Sequence, residues 1–290
     1  MINYNQSAPA AAPAMRDSPM PIQICNTCGT SYPETAEPPS RCAICEDERQ
    51  YVPRAGQAWT TPAKLASTHV NAWRQLEGDL FEIHTQPQFA IGQRALLLRT
   101  PKGNILWDCI TLLDDATKAL VRALGGLSAI AISHPHYYSC MQDWARAFEC
   151  PVHLHAADAE WVMRGDAMIR HWDGETLELA PGMTLLRLGG HFPGGTVLHW
   201  ADGADGRGAL LSGDVVQVAG DVRRVSFLWS YPNMMPLAAR TVRRIAKTLA
   251  PCRFERIYGA FPGRQVMADG AGAVQRSAAR YVELLEGSQP

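Results

Sequence analysis

The sequence predicts a large mixed α/β domain that follows a small cysteine-rich module, and three observations lead to this prediction. Two C-x2-C pairs lie close together near the N-terminus, Cys25/Cys28 and Cys42/Cys45. From Leu80 onward, short apolar runs of strand length alternate with stretches of helix length, as in domains that layer helices on sheets. Several of these runs are followed directly by histidine, aspartate or glycine. This pattern places polar groups where strands open into loops.

The composition is that of a globular protein of balanced charge. The chain has 290 residues, of which 47% are hydrophobic and 19% charged, and its net charge is −1. This length suffices for one large domain and one small one. The charge gives no electrostatic footprint for nucleic acid, and no apolar run approaches the ~20 residues of a membrane helix. We therefore expect neither a nucleic-acid nor a membrane partner. No basic stretch leads into an apolar core at the N-terminus, so we expect a cytoplasmic protein.

The chain divides into three predicted segments. Residues 1–20 are rich in Ala, Pro, Ser and Met without a period, which indicates a disordered tail. Residues 21–55 contain the two C-x2-C pairs. Residues 56–290 hold the alternating apolar pattern and form the main predicted domain.

The spacing of the four cysteines predicts a structural metal site. Four thiolates can complete a tetrahedron around one ion, with the ligands Cys25, Cys28, Cys42 and Cys45. So short a segment has little core, so the ion would supply its folding energy. We expect zinc, and a rubredoxin-like iron centre is the alternative. Because four thiolates close the coordination sphere, the module would be structural, or would offer a surface to a protein partner.

The stretch between residues 61 and 128 predicts a helix, several strands and a second helix. The first helix would begin at Thr61-Pro62, with an apolar face that holds Leu65, His69, Trp73 and Leu76. Strands are predicted at residues 81–83, 89–91, 95–99 and 104–108, with a hairpin turn at 101–104. The second helix spans residues 115–124 and ends at Gly125.

The central motif is a buried strand that opens into two histidines. Residues 129–132 form an apolar run typical of a strand buried on both faces. His134 and His136 follow, and in a strand-like H-x-H both rings project to the same side. Two imidazoles at the mouth of a sheet suit one metal ion. The alternative is a pair of histidines in a solvated loop.

Two further polar residues follow predicted strands in the second half of the chain. Strands are predicted at residues 152–154, 176–179, 184–188, 197–200, 209–211 and 255–258, and helices at 142–148, 157–163, 237–249 and 271–285. His191 lies among four glycines and a proline after one strand. Asp214 follows another, where a buried carboxylate is costly unless it is paired or binds a metal.

This order of motifs resembles the metallo-β-lactamase superfamily, which includes the glyoxalase II-like hydrolases. The resemblance covers about residues 78–285 and leaves out the cysteine module. It implies an αββα sandwich, in which two mixed sheets lie between outer helices and metals bind at one edge.

The resemblance implies one metal ion rather than two. The ligands of the first metal site match His134, His136 and His191, and Asp214 matches the carboxylate that bridges two metals. At the second site, Tyr138 and Ser139 stand where the family has Asp and His. The terminal histidine of the family has no counterpart in residues 259–263.

The function that the resemblance implies is hydrolysis of an ester, thioester or lactone-like small molecule by a water that one metal activates. Asp214 would support the metal shell, and the phenol of Tyr137 or Tyr138 would donate a hydrogen bond to the developing oxyanion. Arg264 would bind an acidic substrate group, or is a solvated surface residue. Zinc is expected, with iron as the alternative. Two other interpretations stay open: a mononuclear iron oxidoreductase of the persulfide dioxygenase type, and a degenerate non-catalytic scaffold.

Overall fold

The computed structural model describes residues 20–287. The predicted tail of residues 1–20 lies outside the described residues except for Met20. The helices are α1 (Ala43–Glu46), α2 (Pro62–Ala66), α3 (Asp115–Ala123), α4 (Met141–Phe148), α5 (Gly203–Gly206), α6 (Ala239–Leu249) and α7 (Gly270–Leu285). Two 3-10 helices span Pro135–Tyr137 and Ala156–Trp161. No helix in this part of the chain combines the length and apolarity that crossing a membrane requires.

The strands fall into one small sheet, two large sheets and two short hairpins. The small sheet and the first large sheet contain β1 (Ile22–Cys25), β2 (Ser31–Glu34), β3 (Trp59–Thr60), β4 (Val70–Glu77), β5 (Leu80–Gln86), β6 (Arg94–Leu98), β7 (Ile105–Trp107), β8 (Ala129–Ala131), β9 (Val152–His155) and β10 (Ile169–Trp172). The second large sheet and the hairpins contain β11 (Thr176–Ala180), β12 (Met183–Arg187), β13 (Thr196–Trp200), β14 (Ala209–Gly213), β15 (Gln217–Val218), β16 (Val225–Ser226), β17 (Leu228–Ser230), β18 (Met235–Pro236), β19 (Arg256–Gly259) and β20 (Gln265–Val266).

Both large sheets are mixed. The seven-stranded sheet has the order β10-β9-β8-β7-β6-β5-β4, with parallel pairing from β10 to β7 and antiparallel pairing beyond it. The six-stranded sheet has the order β11-β12-β13-β14-β19-β20, and its parallel pair is β14 with β19. Each parallel pair needs a crossover, and the helices provide these connections on the outer faces.

The alternation of side chains along the strands builds three apolar layers. In β6, Leu96 and Leu98 point to the space between the two sheets, whereas Ala95 and Leu97 point to the layer under α3 and α4. On the far side of the six-stranded sheet, α6 and α7 cover a third layer around Ile257. The layers α, β, β and α confirm the αββα sandwich.

The N-terminal module is a three-stranded sheet that packs on the main domain. Its order is β2-β1-β3, so its last strand, Trp59–Thr60, lies beyond the predicted boundary at residue 55. The backbone amide and hydroxyl of Ser31 both donate to the carbonyl of Ser139, at 3.0 and 2.9 Å. Gly29 has φ +81°, and an added Cβ there would lie 2.4 Å from the Thr111 hydroxyl, so glycine allows this close packing. The division of the chain into independent domains stays a prediction.

Two predicted elements of the first sheet are wrong. The helix that begins at Pro62 ends at Ala66, and Trp73 and Leu76 lie on opposite faces of strand β4. Their spacing of three residues fits a helix face, but pairing of β4 with β5 decides the conformation. Residues 89–91 form no strand, because Ala90 adopts φ 51° and turns the chain. Strand β10 lies in a segment for which the sequence predicts neither a strand nor a helix.

Candidate metal centre

The two histidines of the central motif lie together after strand β8. The residues Pro135–Tyr137 form a 3-10 turn, so the predicted strand-like H-x-H geometry is wrong. The turn nevertheless places the ring centres of His134 and His136 5.1 Å apart. Both side chains are buried, which excludes the alternative of a solvated loop.

His191 joins this pair from the other sheet. Its ring centre lies 4.9 Å from that of His134 and 5.0 Å from that of His136. Its Nδ1 is 2.6 Å from the carbonyl oxygen of Trp229, which only accepts, so Nδ1 carries the proton and the Nε2 lone pair faces the other imidazoles. We call these three residues the histidine site.

Asp214 lies at the edge of the histidine site. It follows β14, and its Oδ1 is 3.1 Å from Nε2 of His134. Burial raises the pKa of its carboxyl group to about 7. The hydroxyl of Tyr231 donates to its backbone carbonyl. The site therefore combines side chains from the loops of both large sheets at one edge of the sandwich.

The unpartnered atoms of the site fit a metal ion. The buried polar atoms without a hydrogen-bond partner include Nε2 of His134, Oδ1 of Asp214 and the Tyr137 hydroxyl. Buried polar groups without partners are costly, so a cluster of them indicates a ligand. Two atoms bound to one tetrahedral zinc at about 2.0–2.1 Å lie about 3.3 Å apart. His191 Nε2 and His136 Nδ1 are separated by 3.2 Å, so these imidazoles could hold an ion.

Burial keeps the imidazoles neutral. It lowers the pKa of His134 and His136 well below the ordinary value, and it lowers that of His191 to about 4. Neutral imidazole is the form that binds a metal. The site is therefore ready to coordinate an ion at neutral pH without first losing protons.

The two tyrosines of the central motif point in different directions. The ring centre of Tyr137 lies 4.6 Å from that of His134, and burial, followed by the nearby Asp214, raises the pKa of its hydroxyl. The hydroxyl of Tyr138 lies 3.5 Å from the carbonyl oxygen of Asp158 and so points away towards another loop. Ser139 accepts a hydrogen bond from Gln93 at 3.0 Å. The roles assigned to Tyr137 and Tyr138 stay predictions, and the geometry favours Tyr137.

Arg264 is not in contact with the histidine site. It lines a separate cavity of about 450 Å³ together with His84, Gln217 and Phe261. Its backbone carbonyl accepts from the buried Arg94 guanidinium at 3.2 Å. The predicted role of Arg264 in substrate binding stays a prediction, and it would require a substrate that extends into this cavity.

The four cysteines form the second cluster that could hold a metal. The sulfur atoms of Cys25 and Cys45 are 3.6 Å apart, as are those of Cys28 and Cys42. Four sulfurs around one zinc at about 2.3 Å would be about 3.8 Å apart, so the cluster is close to the size of such a site. Burial raises the pKa of the Cys28 thiol well above its ordinary value, so four thiolates there need a cation.

Several residues around the histidine site are not predicted from the sequence. Arg49, which lies four residues after Cys45, donates to the carbonyl of His191 at 3.3 Å. Asp108 has φ 59° at the end of β7 and accepts from the amide of Ser133 at 2.7 Å, which positions the residue before His134. The position of Asp108 directly after an apolar strand could have suggested this role. Nothing in the local sequence indicates where Arg49 lies.

The αββα fold and the buried imidazole cluster at its loop edge are typical of the class of metal-dependent hydrolases. The family model described as the metallo-beta-lactamase superfamily matches residues 91–258. The chain therefore belongs to the metallo-beta-lactamase superfamily.

The chain is also similar to individual proteins, in sequence to one and in fold to others. The chain is 48% identical over 268 residues to the uncharacterized protein YmaE of Bacillus subtilis (strain 168). The aligned residues cover 92% of this chain and 97% of that protein. Its fold is similar to that of the metallo-beta-lactamase DIM-1, with a TM-score of 0.56, 13% identity and coverage of 74% of this chain and 98% of that one. The metallo-beta-lactamase SMB-1 has a TM-score of 0.51 at 20% identity, over 74% of this chain and 94% of that one.

Proposed function

We propose that this chain is a hydrolase that uses a single metal ion, zinc, on an ester, thioester or lactone-like small molecule. The observation that carries the proposal is the convergence of three neutral imidazoles and Asp214, with unpartnered atoms at the centre. A bound ion would lower the pKa of a coordinated water to about 7 and would polarise a substrate carbonyl. His134, His136 and His191 would hold the ion, and Asp214 would complete or support the shell.

The residues around the ion would orient the reaction. The Trp229 carbonyl fixes the tautomer of His191, which keeps Nε2 available. The Tyr137 hydroxyl, which lacks a partner, would donate a hydrogen bond to the oxyanion that develops on the substrate carbonyl.

The experiment that tests this proposal joins metal analysis to a substrate panel. Elemental mass spectrometry on the purified protein should find zinc at two sites, and the double variant His134→Ala/His136→Ala should lose one zinc. The panel should contain esters, thioesters, lactones and a β-lactam, and the double variant should be inactive on every substrate that the native protein hydrolyses. Iron at the histidine site would instead support an oxidoreductase. Absence of a metal at that site would support a non-catalytic scaffold. Binding of a protein partner by the cysteine module stays a prediction.

A further inference from the structure

The histidine site is closed in this fold. None of its three imidazoles is more than 2% exposed, and Asp214 is 4% exposed. A substrate cannot reach these atoms unless part of the protein moves. The segment of residues 47–50, which follows Cys45 and which we call the strap, packs beside the site through Arg49.

Arg49 is the centre of the strap and is buried in an aromatic box. Its guanidinium carbon lies 3.8 Å from the ring centre of Phe192, 4.7 Å from that of Trp229 and 5.1 Å from that of Trp161. A cation within about 6 Å of a ring centre is attracted by the ring. Phe192 also packs on His134 and His136, at 5.5 and 4.9 Å between ring centres. The guanidinium therefore lies one aromatic ring away from the imidazoles.

Hydrogen bonds hold Arg49 in this position. Its Nη1 donates to the carbonyl of His191 at 3.3 Å, and Nε and Nη2 donate to Asp47 at 2.5 and 2.8 Å. Because these donors are already engaged within the chain, Arg49 is not a free cation that awaits a substrate anion. Its hydrogen bonds and ring contacts are those of a side chain that packs in the protein interior.

The rest of the strap is fastened to the hairpin of β17 and β18. The indole N–H of Trp229 donates to the carboxylate of Glu48 at 2.7 Å. The side-chain amide of Asn233 donates to the carbonyls of Glu48 and Gln50, at 2.9 and 3.3 Å. These contacts are few and partly exposed to solvent, so the strap can open without unfolding of the core.

We propose that the strap is a plug that closes the histidine site, and that its release admits the ligand. That the admitted ligand is a hydrolase substrate rests on the proposed function. The plug is attached to the cysteine cluster, because Cys45 precedes Asp47 by two residues. Binding of metal by the cysteines therefore sets the position of the strap, and loss of that metal opens the histidine site.

The test measures the accessibility of the histidines directly and needs no substrate. The histidine site is emptied with a chelator while the cysteine cluster keeps its metal, which elemental mass spectrometry verifies as one metal equivalent per chain. This protein is treated with diethyl pyrocarbonate, and modification of His134 and His136 is followed by peptide mass spectrometry. The variant Arg49→Ala should be modified about tenfold faster or more than the native protein at these positions. Arg41→Ala is the matched control, since Arg41 belongs to the same module but is exposed and pairs with Glu46. The exposed His171 should react equally in all proteins.

A second variant guards against a folding defect. Asn233→Ala removes two bonds to the strap from an exposed position, and it should also accelerate modification of His134 and His136. If Arg49→Ala fails to fold, Asn233→Ala decides alone. Rates equal to that of the native protein in the folded variants would overturn the plug. Accelerated modification without any hydrolysis of the substrate panel would leave the plug standing and reject the proposed function.

Discussion

Nε2 of His134 lies 3.1 Å from Oδ1 of Asp214, although the two residues follow strands of different sheets. Neither atom has a hydrogen-bond partner. The separation is close to that of two ligands on one tetrahedral ion. The sandwich thus brings a neutral imidazole and a buried carboxyl group together at the edge where its loops meet.

Removal of one imidazole should abolish metal binding at the histidine site. The variant His134→Ala loses one donor and leaves Asp214 without its neighbour, so we expect about one metal equivalent less per chain. Elemental mass spectrometry measures the change. The control is His153→Ala, from the second H-x-H of the sequence, which lies on β9 and is only partly buried. An equal loss of metal in both variants would contradict the assignment.

The variant Asp214→Asn should shift stability and metal affinity in opposite directions. The pKa of the carboxyl group is raised to about 7, so above that pH the metal-free fold contains a costly buried charge. The amide removes this cost, and the metal-free variant should gain about 4 kcal/mol at pH 8. Its metal affinity should fall about tenfold or more. Thermal denaturation with and without zinc measures both, and a metal-free variant less stable than the native protein would refute the argument.

Loss of one cysteine ligand should remove the metal of the N-terminal module. In Cys25→Ser the cluster keeps three thiols, and we expect loss of about one metal equivalent and of the order of the module. Hydrogen exchange of residues 22–60 provides the measurement. Cys252→Ser is the control, since Cys252 is a partly buried free cysteine outside the cluster. Unchanged exchange in Cys25→Ser would show that the module folds without a metal.

The two neighbouring tyrosines should differ in their effect on catalysis. Tyr137→Phe removes the unpartnered hydroxyl that faces Asp214, and kcat/KM should fall by about 10²–10³, the usual effect of losing an oxyanion donor. Tyr138→Phe removes a hydroxyl that points to the Asp158 carbonyl, so kcat/KM should change little. Steady-state kinetics on a substrate found in the panel compares them. A larger effect of Tyr138→Phe would reverse the assignment.

Asp158 should make stability depend on pH in a predictable direction. Burial raises the pKa of its carboxyl group to about 6, above the value of about 3.9 in an unfolded chain. The protonated form is therefore favoured in the fold, and its contribution to stability is present below about pH 4 and is lost as the pH rises through about 6. The amide of Gly194 donates to this carboxyl group at 2.8 Å, and Asp158→Asn keeps an acceptor there.

Urea denaturation of the metal-free protein at about pH 4 and pH 7 tests this dependence. Relative to Asp158→Asn, the native protein should lose about 2–3 kcal/mol of unfolding free energy between the two values. Equal pH profiles of the two proteins would show that the carboxyl group is not shifted.

Features that depend on neighbouring residues were predicted better from the sequence than features that depend on contacts between distant residues. Strand β8 and the helices α3, α6 and α7 were predicted with small errors at their ends, because apolar patterns and glycine stops act locally. The helix predicted through Trp73 failed because a strand partner, which local spacing does not reveal, overrides the helical pattern. The 3-10 turn at His136 was not predicted, because a strand-like H-x-H and a 3-10 turn can both bring the two rings together.

The sequence by itself determined which residues could bind a metal. The order of residues along the chain determines which side chains can bind a metal. It also determines their positions after apolar strands and the spacing of the cysteines. Their environment depends on contacts between distant residues. Arg49 reaches the His191 carbonyl across 142 residues, and Tyr137 rather than Tyr138 faces Asp214 because a turn sets the direction of each side chain. These contacts join residues that are far apart in the chain, so only the tertiary structure brings them together.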